Sequence, residues 1–283
     1  MSKEDFTWGH ASLAQFVYWL VERHSIWKRR DMGMEWPWTE DPVLREYKFT
    51  NVFRELDKGT LALRGMVDAW DGAKHPEDIT FNVMWYRMFN RFEHAVDIGF
   101  HRTCAFESFR EKMLAKAETG ARMFTSAHMT HGRKGELKVN STLDTLSNVI
   151  DAIEQLAFDL EKSDTLEESY KVLRSYKFTG IGPFIGYEII SDLRWYFLSK
   201  ATDRCFWANP GPGCKRGMQR LGYQVSQEGL RKVRADVVTH PDFAPLRIHA
   251  DGVWPPFEMR EIEHSLCEFD KYCRGGGKEK YRP

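Results

Sequence analysis

Residues 166–221 read LEESYKVLRSYKFTGIGPFIGYEIISDLRWYFLSKATDRCFWANPGPGCKRGMQRL, and the fold is decided there. Apolar or aromatic residues at Leu166, Tyr170, Leu173 and Tyr176 predict a helix that stops at Gly180-Ile181-Gly182. Pro183 follows, and the first turn of a helix tolerates proline because its N–H is unpaired there anyway. Ile185, Ile189 and Leu193 then form one apolar stripe, which predicts a second helix. Helix, tight glycine turn, helix is the layout of a helix-hairpin-helix. Its amides point at a phosphate, and glycine lets two backbones come close. The plain alternative is a helical turn that needed glycine. A second cluster, Asn209-Pro210-Gly211-Pro212-Gly213, is followed by Lys215, Arg216 and Arg220. A rigid loop whose amides form a nest, ending in cations, suits phosphate or pyrophosphate. Two such sites in one stretch imply a substrate with several phosphates.

The chain has 283 residues, enough for one large domain or two small ones. Composition is globular, at 42% hydrophobic, 14% aromatic and 29% charged. Ten tryptophans favour a large aromatic core or a surface that stacks on a ligand. The net charge is zero, so any DNA-binding surface must come from local clustering of Lys and Arg. Cys104, Cys205, Cys214, Cys267 and Cys273 are scattered with no C-x-x-C pair, which supports neither a zinc ribbon nor a disulfide framework. Reduced thiols in a cytoplasm fit best. The N-terminal MSKEDFTWGH has no apolar signal region, and no apolar run is long enough to span a membrane.

Working outward, residues 12–27 predict a helix with Leu13, Phe16, Val17, Leu20 and Val21 on one face, followed by Lys28-Arg29-Arg30. In the segment 36–60, Thr39 and Asp41 are good caps and Pro42 suits a first helical turn. Helical spacing there puts Leu44, Val52, Phe53 and Leu56 on a core side and Lys48, Asn51, Glu55 and Lys58 on a polar side. A solvated charged face is the simple explanation, but asparagine is a poor mid-helix residue unless its amide has a partner. Residues 78–92 are aromatic nearly all round and predict a buried helix, and residues 141–162 predict one amphipathic helix. Residues 127–139 read as a loop. His128 and His131 lie in it, but no carboxylate or cysteine completes a metal set, so no metal site is expected. The last helix, 259–273, carries Ile262, Leu266, Phe269 and Cys273 on one side and His264, Glu268 and Lys271 on another. Such a polar stripe can move protons or hold a phosphate, or it can simply be solvated. The fold class is therefore mainly α. The expected organisation is an N-terminal helical extension over 1–35, a helical catalytic domain over 36–274 and a flexible basic tail over 275–283.

Three pieces in order, DPVLREYKFTNVFRELD, FTGIGPFIGYEIISDLRW with GPGCKRGMQRL, and EHSLCEFDKYCR, carry a resemblance over roughly Trp36 to the C-terminus. Together they resemble the alpha-glutamyl/putrescinyl-thymine pyrophosphorylase group of phage enzymes. That group includes amino acid:DNA transferases and the helical domain of 5-hydroxymethyluracil DNA kinases. The resemblance implies a helix-hairpin-helix, DNA-glycosylase-like helical fold and a role in thymidine hypermodification. In such pathways 5-hydroxymethyluracil in DNA is phosphorylated and then pyrophosphorylated. An amine from an amino acid or polyamine then displaces pyrophosphate from the 5-methylene carbon, with the nucleotide flipped out.

On that resemblance the amides of Gly180 and Gly182 would hold the DNA backbone. Gly211, Gly213, Lys215 and Arg216 would hold pyrophosphate, with Mg2+ as an optional companion. Asn51, Arg54 and Asp57 would line the pocket, and His264, Glu268 and Lys271 would complete its polar wall. Either Asp192 or Asp203 would deprotonate or position the amine. The partners implied are double-stranded DNA carrying modified thymine, the amine donor and a DNA kinase of the same pathway, in a host-cell cytoplasm and with no membrane. Phe184 stands where lyase-type glycosylases carry a nucleophilic lysine, so Schiff-base strand cleavage is not expected. No kinase P-loop occurs, so the chain reads as a free-standing form. Two alternatives stay open: a base-excising glycosylase using Asp203, and a non-catalytic module that presents modified DNA to a kinase.

Overall fold

The computed structural model describes residues 10–125, 135–247 and 257–281. It is mainly α-helical; among the described residues there is no β-strand, and Tyr47 and Lys280 form an isolated antiparallel bridge. The first helices are α1 (Leu13–Asp31), α2 (Pro42–Glu46), α3 (Lys58–Asp68), α4 (Pro76–Phe89), α5 (Phe92–Asp97) and α6 (Phe106–Glu118). There follow α7 (Lys138–Ile150), α8 (Ile153–Glu161), α9 (Leu166–Ser175) and α10 (Pro183–Leu193). The remainder are α11 (Pro212–Arg220), α12 (Gln227–Thr239), α13 (Ala244–Arg247) and α14 (Met259–Cys273). The helices form two compact units. Lys58–Asp203 makes an inserted unit, and the segments before and after it make a terminal unit.

In the terminal unit, α1 begins at a capping box in which the Gln15 amide donates to Ser12 Oγ and the Ser12 amide donates to Gln15 Oε1. Lys28, Arg29 and Arg30 in its last turn suit the negative end of the helix dipole. Its Phe16 and Trp19 pack on Phe269 of α14, with ring centroids 5.0 and 6.4 Å apart. The contact between α11 and α14 is close because of two glycines. A Cβ on Gly217 would stand 2.4 Å from the Leu266 carbonyl oxygen, and one on Gly213 would stand 2.2 Å from Cys267 Sγ. Both positions bring one helix backbone directly against the other. Residues 279–281 run back beside α2, where the Lys48 amide donates to the Glu279 carbonyl and the Tyr281 amide to the Glu46 carbonyl.

In the inserted unit, α4 lies at the centre, with Phe81, Val83, Met84, Trp85, Met88 and Phe89 all buried. It contacts α7, α8 and α10, which explains a largely aromatic helix whose few polar residues, such as Asn82 and Arg87, are buried too. The predicted helix over 141–162 is two helices, because Asp151 and Ala152 interrupt it and leave α7 and α8 to pack on α4 separately. Helices α9 and α10 flank the glycine turn as the periodicity predicts, with Pro183 in the first turn of α10. Gly180 sits at φ +83°, a region that a side chain disfavours.

The predicted helix through 36–60 does not exist. Asp41 Oδ1 caps only the short α2, accepting from the Val43 and Leu44 amides. The chain is then extended from Tyr47, forms one 3-10 turn at Arg54–Leu56 and starts a new helix at Lys58. Thr50, Asn51 and Val52 are weak helix formers, and the Asn51 amide group bonds the Leu56 carbonyl, competing with helix bonds. The stripe Lys48, Asn51, Glu55, Lys58 is therefore not a helix face. His128 and His131 lie outside the described residues.

Candidate functional site

The extended segment 47–57 is held by side chains from three directions. Arg23 of α1 donates through Nη2 to the Phe49 carbonyl at 3.0 Å and to Asn51 Oδ1 at 2.7 Å. The Asn51 amide donates to Asp57 Oδ1 at 2.9 Å, and Asp57 Oδ2 pairs with Arg54 Nη1. From α14, Glu268 Oε2 accepts from the Thr50 amide at 3.1 Å. Lys271 Nζ donates to the same oxygen at 2.6 Å and to the Lys48 carbonyl at 2.9 Å, and lies over the Phe49 ring. Asn51, Arg54, Asp57, Glu268 and Lys271, read from two distant motifs, thus meet in one network. Arg54 is buried, and Asp57, Glu268 and Lys271 are partly buried.

His264 lies one turn before Glu268 on α14. Its Nδ1 is 3.0 Å from the Arg260 carbonyl and 3.2 Å from Glu263 Oε2. Glu263 is buried, and its Oε1 accepts from the Gly211 amide at 2.9 Å. The N-terminus of α11 thus already faces an internal carboxylate, which is what a helix N-terminus attracts. Gly213 is buried against Cys267, while Lys215 is exposed. Arg216 and Arg220 donate through Nε to the buried Asp270 at 2.8 and 2.7 Å, with Arg274 at 3.3 Å. Burial alone would raise the Asp270 pKa, but hydrogen bonds from Arg220 and Arg216 hold it below the ordinary carboxylate value. The glycine-rich motif therefore joins α11 to α14 and stands in the same unit as the 47–57 segment.

The two aspartates weighed as acid–base groups lie in the inserted unit and are both engaged. Asp192 is fully buried and binds Arg87 through both oxygens, Oδ1 accepting from Nη2 at 2.8 Å and Oδ2 from Nε. Glu188 Oε2 is 3.0 Å from Arg87 Nη1. Asp203 receives the Leu166 amide at 2.7 Å and the Glu167 amide at 3.0 Å, so it caps the N-terminus of α9. Gly182 opens α10, and its carbonyl accepts from the Gly186 amide, while Arg174 donates to the Ile181 carbonyl. Cavities of about 840, 620 and 410 Å³ in this unit are lined by none of the site residues expected from the sequence.

Arg23, Glu263 and Asp270 carry much of the terminal-unit network. Arg23 was not singled out from the sequence, although its spacing, i+7 from Phe16 and i+3 from Leu20, puts it on the stripe that the helix buries. Glu263 and Asp270 gave no such signal, since a carboxylate on a charged helix reads as solvated. Among the described residues no group of three or more His, Cys, Asp and Glu is placed to hold a metal ion. A divalent cation arriving with a phosphate needs only one or two carboxylates, so it asks for no such cage.

The comparisons agree with the residue pattern. The family described as 5-hmdU DNA kinase, helical domain, matches residues 10–281. The 5-hmdU DNA kinase of Bacillus phage SP10 is 32% identical over 284 aligned residues, covering 89% of this chain and 43% of that protein. The chain therefore spans less than half the length of that relative. No solved structure matches it. With the match running through both units, the chain belongs to the family of 5-hmdU DNA kinase helical domains.

Proposed function

We propose that this chain is an amine:DNA transferase of thymidine hypermodification, acting on 5-(pyrophosphoryloxymethyl)uracil in DNA. The observation that carries the reading is that 41–57, 263–274 and the 211–221 part of the middle motif meet in the terminal unit through a charged network, while the other part of that motif, 178–195, lies in the inserted unit. In the reaction the amine nitrogen attacks the 5-methylene carbon, the carbon–oxygen bond breaks, and pyrophosphate leaves with the electron pair. The nitrogen then gives up a proton.

Glu268 is the carboxylate best placed to take that proton. Both of its hydrogen bonds fall on Oε2, and it is only partly buried. Asp192 and Asp203 are less suited, because their oxygens are committed to Arg87 and to the α9 amides. Lys271 beside Glu268 supplies positive charge near the leaving group. The α9–α10 turn, with Gly180 and Gly182, serves as the DNA-backbone contact of a helix-hairpin-helix.

A second reading is supported by the length of the phage SP10 kinase, of which this chain matches 43%. On that reading the helical chain presents modified DNA to a kinase and performs no chemistry. One experiment separates the two. DNA carrying the pyrophosphorylated base is incubated with the protein, amino acids and polyamines, then digested to nucleosides and weighed by mass spectrometry. A nucleoside with the mass of an amine adduct supports the transferase and names its donor. Unchanged nucleosides with DNA bound sink it in favour of the presenting module, and an abasic site points to a glycosylase.

A further inference from the structure

Two buried arginines behave in opposite ways. Arg87 in the inserted unit has carboxylates on Nε, Nη1 and Nη2, and the charges of Asp192 and Glu188 more than offset its burial and drive its pKa up. Arg23 in the terminal unit is only 7% exposed, yet no carboxylate touches it, and its Nη2 donors go to a carbonyl and an amide oxygen. Its Nη1 is buried with no hydrogen-bond partner. Burial pulls its pKa from 12.5 down to about 10, a loss that the more distant Asp57 and Glu268 only partly oppose.

Arg54 is 8% exposed and shares this condition. Its Nη1 faces Asp57, but its Nε is buried without a hydrogen-bond partner. The two guanidiniums are joined through the hydrogen bond between Asn51 and Asp57. Buried charged donors left open are costly, and native proteins retain few of them without a use.

We infer that Arg23 and Arg54 are the donors of an oxyanion site on the 47–57 segment, and that its ligand is a phosphoryl group. A tetrahedral oxyanion offers enough acceptor oxygens to take N–H groups from two guanidiniums at once, as arginine forks favour. The segment has one 3-10 turn, at Arg54–Leu56, and its residues 48–51 are held by side chains of α1 and α14 and by the Glu279 carbonyl, so those residues can move without unwinding an α-helix. The site deepens the proposed reading by giving the terminal unit an anion receptor apart from α11, whose N-cap amide, that of Gly211, is already bound to Glu263. The phosphoryl group has two sources, the pyrophosphate leaving group and the DNA backbone.

The test needs binding and no turnover, so its failure is separate from failure of the transferase reading. Isothermal titration with inorganic pyrophosphate, and separately with a short unmodified DNA duplex, is run on the full chain. Wild type is compared with Arg23→Gln and Lys215→Gln, and circular dichroism reports whether each is folded. Pyrophosphate binding weakened about tenfold or more in folded Arg23→Gln supports the site and identifies the leaving group. Weakening of DNA binding alone supports it and identifies the backbone. Equal binding by wild type and folded Arg23→Gln overturns it, as does no binding of either ligand by wild type, or a loss confined to Lys215→Gln. If Arg23→Gln does not fold, a crystal of wild type grown with pyrophosphate decides. Density within hydrogen-bond distance of Arg23 Nη1 or Arg54 Nε supports the site, and its absence there overturns it.

Discussion

At the scale of single residues, the same side-chain types do different work according to what surrounds them. Asp192 and Arg87 form a closed, fully buried ion pair, and removing one partner of such a pair leaves an uncompensated charge. Asp192→Ala should therefore destabilise the inserted unit by about 3–5 kcal/mol, read as a lower denaturation midpoint. Asp203→Ala removes a cap and should cost only about 1–2 kcal/mol. Glu268→Gln is expected to behave differently: product formation in the nucleoside assay falls about a hundredfold while DNA binding and melting temperature hold. Full activity of Glu268→Gln would exclude it as the proton acceptor. Asn51 shows how far the sequence could be read at this scale. An asparagine in a supposed helix signalled a partner for its side-chain amide, and that amide has two, Arg23 and the Leu56 carbonyl, while its backbone N–H donates to Asp57. The spacing around it still imitated a helix, because isolated periodicity carries no record of what a distant side chain will bind.

At the scale of elements, periodicity and caps served well. The 3.6-residue pattern located α1, α4, α9, α10 and α14, and Pro183 and Asp41 were read correctly as helix starts. The glycine motif was recognised, but its mechanical part was not. Gly213 and Gly217, four residues apart, are the surface on which α14 lies, whereas the sequence suggested an open loop for an anion. Gly217→Ala places a methyl carbon 2.4 Å from a backbone oxygen that no side-chain rotation can move. It should destabilise the terminal unit by about 2–4 kcal/mol, whereas Gly65→Ala, where nothing lies within 4 Å, should stabilise α3 by up to about 1 kcal/mol. Denaturant midpoints measure both, and equal effects would discredit the packing argument.

At the scale of the whole molecule, the discontinuous terminal unit was not legible. Thr50 and Glu268 are 218 positions apart, and no local signal announces such a pairing. Stability against pH is also a property at this scale. His94 and His101 are both buried, and burial lowers both pKa values below the ordinary histidine value of 6.5, with the backbone oxygens of Met123 and Gly99 opposing. The unfolded chain then binds protons at a pH where the folded chain does not, so protons favour unfolding. Stability present above about pH 6.5 should be lost progressively as the pH falls through that value toward the folded pKa values. Melting curves between about pH 8 and pH 5 test this, and His94→Gln should flatten the acid limb. A midpoint that rises on acidification would contradict the sign.

The split of the terminal unit between the two ends of the chain sets an order on biosynthesis. Residues 58–203 leave the ribosome as one contiguous block, and every helix they need is on hand to collapse on α4 while translation continues. The segment 47–57 has emerged earlier but waits, because Glu268 and Lys271, which hold it, and Tyr281, which pairs beside α2, are made only after the inserted unit. Until then Phe16 and Trp19 have no partner in Phe269. The nascent chain thus carries a finished inserted unit and an unfinished terminal one, and premature termination anywhere before α14 yields a protein that is folded in its middle and open at its charged network.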